Sequence, residues 1–272
     1  MDALQAIVLG IVQGLTEFLP VSSTAHLRIV PAFFGWDDPG AAFTAVVQLG
    51  TMAAVLVYFR RDLWTIASAW IRSVLARERR PRDPDARLGW YIILGTIPIA
   101  VLGLAFKDTI ENQFRTLELI GAALFLFSFV MLRAEAVSKR DRQISDITRR
   151  DGFIIGCAQA LALVPGVSRS GSTISAGLFL DFDREAAARY SFLLSVPAVV
   201  LSGVFELRHV GEGGGAPAGA TALATLLAFI VGYASIAFLL RYLVHHSIAV
   251  FAAYRIGLGI LVVVLAAANV IT

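Results

Sequence analysis

Six stretches of the chain, at about 41–59, 88–106, 117–132, 187–205, 218–240 and 248–270, are each apolar over close to the roughly 20 residues a helix needs to cross a bilayer. A soluble domain of 272 residues could not bury that much apolar surface, since 57% of the residues are hydrophobic and only 16% are charged. The chain is therefore expected to be an all-α polytopic membrane protein with six transmembrane helices, and the lipid bilayer is its first partner. A pI near 9.3 would suit a nucleic-acid binder. The basic residues, however, lie between the apolar runs rather than in one patch interleaved with aromatics, so no nucleic acid is expected. The single cysteine, Cys157, rules out an internal disulfide framework and reads as a small core residue. Ala3 to Val12 has neither a basic flank nor a cleavage site and does not read as a signal peptide.

Two further apolar pieces, 3–19 and 152–164, break differently. Each meets a proline, Pro20 or Pro165, then a hydroxyl-rich turn, VSSTAH or GVSRSGST, and then resumes as a second short apolar piece. A broken helix at membrane depth survives only where its freed backbone faces protein or a wet cavity. Two re-entrant helix pairs fit that requirement better than two more spans.

Charge sets the orientation. With the loops 60–87, 133–150, 181–185 and 241–247 in the cytoplasm, that side carries sixteen Lys or Arg, whereas the other carries only Arg28, Lys107, Arg115 and Arg208. The positive-inside rule then puts both termini outside. The first re-entrant pair enters from outside and the second from the cytoplasm, each followed by three spans. The chain thus reads as one integral membrane domain, 1–272, made of two inverted-topology repeats, about 1–135 and 150–272, joined by a basic cytoplasmic loop. EFLPVSST and ALVPGVSRSGST mark the repeat. Inverted repeats place binding sites near the midplane where broken helices meet, so the two hydroxyl turns are expected to face each other.

The turns carry chemistry. Gln13 and Glu17 are four residues apart and share one helix face. Ser22, Ser23 or Thr24 can cap the helix after Pro20, aiming backbone N–H groups and a positive dipole end at the break, which suits phosphate. Ser168, Ser170, Ser172 and Thr173 repeat the device, and Arg169 adds a fork that fits phosphate at two points. Together these residues would cradle a diphosphate. His26 adds the proton-transfer group that binding alone does not need. Ser23 or His26 could attack phosphorus, or His26 could activate Ser23 or a water. Glu17 could hold a divalent cation, Mg²⁺ or Ca²⁺, shared with phosphate oxygens.

QGLTEFLPVSSTAH together with PGVSRSGST resembles the paired signature motifs of the undecaprenyl-diphosphate phosphatases of the bacitracin-resistance type, and the likeness covers the whole chain. The resemblance implies hydrolysis of a polyprenyl diphosphate lipid to its monophosphate and inorganic phosphate. It implies a multi-pass protein of the bacterial inner membrane, with a site open to the outer, periplasmic face and a divalent metal ion as cofactor. Carried over by motif, Glu17, Ser23, His26 and Arg169 are the catalytic candidates, with Glu17 also the metal candidate. Gln13, Ser22 and Thr24 fall with the substrate-binding positions. Gln13 stands where a second carboxylate is common, and an amide adds no charge to a metal site.

Blander readings compete. Ser and Thr in membrane helices often bond back to their own turn. Arg255, in FAAYRIG, is placed with the substrate-binding residues, although snorkelling or a structural pair with a buried acid serves it equally well. His245 and His246 are adjacent and do not share a helix face, so they read as a loop end rather than a metal site. The segment 211–219, GEGGGAPAG, reads as an outer connection, and Gly10 and Gly14 as a close-packing face. The competing function is a polyprenyl-phosphate transporter or flippase, alone or together with hydrolysis, because broken midplane helices also build transporters. The sequence is compatible with an oligomer as well as a monomer.

Overall fold

The computed structural model describes residues 1–78, 81–106, 114, 116–206 and 217–271. Lys107, Arg115, Arg208 and the 211–216 part of the outer connection lie outside the described residues. Among the described residues eleven α-helices follow one another, with no strand.

Helix α1 (Ala3–Phe18) opens on a capping box between Asp2 and Gln5 and stops ahead of Pro20, which cannot continue the hydrogen-bond ladder. After the turn, α2 (Ser23–Phe34) runs to Gly35, whose φ of 64° closes it in the left-handed conformation. Helix α3 (Gly40–Tyr58) passes at a 76° bend into α4 (Arg60–Leu75). Helix α5 (Pro84–Ala105) starts at an Asp83 cap with proline in its first turn, and α6 (Leu117–Val137) ends the first half. The chain continues with α7 (Arg149–Ala160), a break, α8 (Arg169–Phe179), α9 (Arg184–Glu206), α10 (Ala218–His245) and α11 (Ala249–Ala267).

Helices α5, α6, α10 and α11 are each long and apolar enough to cross a membrane, and the bent pair α3–α4 makes five if counted as one span. The protein is a multi-pass membrane protein. Helices α3 and α9 lie where the other two spans were expected.

The segment 60–75, expected as cytoplasmic loop, is helical instead. Ile66, Ala69 and Ser73 lie on one side of α4 and are buried, while Trp64 (76% exposed) and Leu75 (77%) lie on the other. Its many arginines hid this periodicity. The Cys157 reading also needs correction, because its side chain is exposed. Helix α7 meets α5 through Gly152 and Gly156, and the residue after Gly156 points away from that contact.

The halves interlock by exchange. Helix α1 packs along α10, α7 packs along α5, and α6 packs along α11. Small residues permit these approaches, as the GxxxG reading of α1 required. A Cβ on Gly10 would lie 2.5 Å from the Ala224 carbonyl oxygen, and one on Gly14 would lie 2.7 Å from Val231 Cβ.

The basic loop is tied down by Arg142, which reaches both oxygens of Asp151, at 2.6 and 3.4 Å, and the Leu180 carbonyl at 2.8 Å. Burial alone would raise the Asp151 carboxyl, but hydrogen bonds from Arg142 and Thr148 outweigh it and hold the group below its ordinary value. The pair therefore adds stability at neutral pH that is lost only as pH falls below the ordinary aspartate range.

Gly10→Leu is expected to cost about 1–3 kcal/mol through overpacking against α10. Gly257→Leu, where a Cβ meets nothing within 4 Å, should be close to neutral. Thermal unfolding of the two variants in detergent checks the contrast.

Candidate active site

The two breaks meet. Ser22 and Ser168, which precede α2 and α8, share a backbone conformation rare outside glycine, with φ of 74° and 75°. The Ser22 hydroxyl accepts from the Gly166 N–H at 3.2 Å, and the Ser170 hydroxyl donates to the Leu19 carbonyl at 3.1 Å. Each bond runs from one turn to the other, as the sequence led us to expect.

Arg255 completes the junction. It is wholly buried, with Nη1 on the Pro20 carbonyl at 3.2 Å, Nη2 on the Gly166 carbonyl at 2.8 Å and Nε on the Ser128 hydroxyl at 3.2 Å. Neither snorkelling nor a pair with a buried acid is seen among the described residues, since all three guanidinium nitrogens serve oxygens freed by the breaks or offered by α6.

Glu17 is the hub. Its Oε2 accepts from Ser23 Oγ at 2.5 Å and from Gln13 Nε2 at 3.0 Å, and its Oε1 meets Arg169 Nη2 at 2.5 Å. The helical spacing of Gln13 and Glu17 therefore does bring them together, and α8 delivers Arg169 from the other half. The charges neutralise each other, which makes a buried carboxylate tolerable.

Ser23 pairs with Glu17, not with His26. His26 is buried, with Nδ1 2.8 Å from the Ser22 carbonyl and Nε2 2.7 Å from Tyr254 Oη. Thr24 is exposed at the mouth and shares a hydrogen bond with Ser22. Ser168 caps its own helix at the Gly171 N–H and contacts Ser170. Helix α2 has no such side-chain cap, because the Ser22 hydroxyl is engaged across the junction. Its first N–H groups are thus the less satisfied of the two helix ends. Thr173 turns away to α9, where its hydroxyl bonds Ser191 at 2.6 Å.

Thr51, Ser128, Ser191 and Tyr254 are partners that sequence reasoning missed. The first three are single hydroxyls inside apolar spans and give no pattern. Tyr254 adjoins Arg255, and that adjacency was the available signal. Arg189 is paired with Asp62, and His246, read from the sequence as part of a loop end, stacks on Tyr242 at the end of α10.

Among the described residues no three His, Cys, Asp or Glu side chains converge. A hard cation still fits the donor set here. Gln13 Oε1 is buried without a partner, on the amide that touches Glu17, and carboxylate, amide and hydroxyl oxygens are the ligands Mg²⁺ and Ca²⁺ take, often beside substrate phosphate.

The family model described as "Bacitracin resistance protein BacA" matches residues 6–261. The chain belongs to this family. Relatives named undecaprenyl-diphosphatase run the full length of this BacA-family chain. One from Nocardioides sp. is 54% identical, covering 100% of this chain and 99% of its own. One from Mycobacterium sp. strain KMS is also 54% identical, with coverage of 100% and 99%. One from Thermobifida fusca is 50% identical, with coverage of 100% and 93%.

Arg255→Lys should disable the site through its frame. One ammonium cannot reach all three oxygens, and each buried carbonyl left unpaired costs about 1–3 kcal/mol. A lowered melting temperature together with lost phosphate release is the expected result.

Proposed function

We propose that the protein hydrolyses undecaprenyl diphosphate to undecaprenyl phosphate and inorganic phosphate, returning the lipid carrier to cell-wall synthesis. The contact that carries this reading is Ser23 Oγ donating to Glu17 at 2.5 Å, with Arg169 on the same carboxylate. A hydroxyl aimed by a carboxylate, beside a guanidinium and an uncapped helix N-terminus, is an arrangement for phosphoryl transfer rather than for anion binding alone.

On binding, the diphosphate draws Arg169 from Glu17 and takes N–H groups of α2, with Ser22, Thr24, Ser168 and Ser170 framing the head. Ser23 Oγ attacks the terminal phosphorus and its proton passes to Glu17. The bridging P–O bond breaks and the lipid monophosphate leaves. Water then cleaves the phosphoserine, Ser23 regains its proton from Glu17, and His26 takes the proton shed by the water. Glu17, Gln13 and Ser23 are the residues that would hold a divalent cation, which would supply charge neutralisation at the phosphate oxygens.

The wider setting is six spans and two re-entrant pairs in inverted repeats, in the bacterial inner membrane, with termini and site facing outward. The exchange packing and the matched serines support it.

Phosphate release from undecaprenyl diphosphate by the purified protein in detergent tests the proposal. Ser23→Ala should lose on the order of 10²-fold or more in kcat, and Arg169→Lys much of the activity, because a point charge replaces the fork. Chelation should stop release and added Mg²⁺ or Ca²⁺ restore it. Gln13→Glu should stay active and bind the cation more tightly. A wild-type protein inactive with every divalent cation would sink the phosphatase reading.

A further inference from the structure

His26 is buried to 6% exposure, and its two ring nitrogens end in different places. Nδ1 lies 2.8 Å from the Ser22 carbonyl, which only accepts, so Nδ1 carries the proton. In the neutral ring Nε2 is then an acceptor, and Tyr254 Oη donates to it at 2.7 Å. The rings lie nearly parallel, at 14°, with centroids 5.7 Å apart. Tyr254 comes from α11, on the other half of the chain, and is 49% exposed. The Nδ1 side is a dead end in backbone. Among the described residues, Tyr254 Oη is the group that hydrogen-bonds Nε2.

We infer that Tyr254 is the proton relay of His26, fixing the Nδ1–H form of the ring and carrying protons between the buried imidazole and the reacting water. This rests on hydrolysis at this site. In the second half of the reaction, water adds to the phosphorus of phosphorylated Ser23 as the P–Oγ bond breaks and Oγ recovers its proton from Glu17. The proton shed by the water goes to Tyr254 Oη while the tyrosine's own proton moves to Nε2. His26, now cationic, donates from Nδ1 to Ser22 and from Nε2 to Tyr254. The reverse transfer returns the proton once phosphate has left.

The test is undecaprenyl diphosphate hydrolysis by detergent-purified wild type, Tyr254→Phe, His26→Ala and the double variant, with kcat and KM measured for each. Phenylalanine keeps the ring stack and removes only the hydroxyl. The expected result is a fall in kcat of about 10- to 100-fold with KM within about twofold. The double variant should be no slower than His26→Ala alone, since residues acting as one unit are not additive. A Tyr254→Phe enzyme with wild-type kcat, or a double variant slowed by the product of the two single losses, overturns the relay. If Tyr254→Phe fails to fold, 3-fluorotyrosine placed at 254 keeps the shape and changes the acidity of the hydroxyl. A displaced pH profile of kcat supports the relay, and one superimposable on wild type overturns it. Wild type that releases no phosphate would instead overturn the phosphatase reading on which the relay depends.

Discussion

One guanidinium joins the two halves of the polar centre. Breaking a helix at membrane depth frees carbonyls that lipid cannot satisfy, and each needs a donor from the protein. Arg255 supplies donors to one carbonyl from each break and to a hydroxyl on α6, lying at 5.8 Å above the Phe127 ring. A flat, delocalised cation with a fixed fork suits this role where a lysine would not. The cross-bonds of Ser22 and Ser170 fall into place around it. Without that junction Glu17 and Arg169 would not meet, because one comes from each break.

Much of this could be read from the residues. Proline after an apolar run, followed by hydroxyls, marks a break, and two such breaks in one membrane chain imply a shared cavity. Spacing alone paired Gln13 with Glu17. What could not be read is which hydroxyl serves the carboxylate and which arginine serves the frame. Arg169 sits among hydroxyls and reads as a phosphate fork, whereas Arg255 is a lone cation in an apolar span and only its partners reveal its place in the frame. Tyr254 was hidden because an aromatic in a membrane helix needs no explanation. Helix α4 was hidden for the opposite reason, since its arginines dominate a segment whose buried side is apolar.

The two turns are built alike and employed differently. Ser22 and Ser168 hold the same strained backbone, a cost of order 1–3 kcal/mol that persists only where surroundings enforce it. Ser168 uses its hydroxyl to cap its own helix, whereas Ser22 gives its hydroxyl to the opposite turn and leaves α2 open. The residue after each serine then differs in kind, a hydroxyl at Ser23 and a guanidinium at Arg169. One scaffold thus brings a hydroxyl and a guanidinium to the same carboxylate from opposite directions.

The Glu17–Arg169 pair has a consequence for turnover. In the resting cavity the arginine already faces an anion, so an arriving headgroup has to displace a carboxylate. A diphosphate, carrying more negative charge than either monophosphate formed from it, displaces that carboxylate more readily than the products do. In the proposed hydrolysis the internal acid would act as a resident competitor that retakes the arginine once the anhydride is cut, so the site would be cleared by the same residue that prepares the hydroxyl for attack.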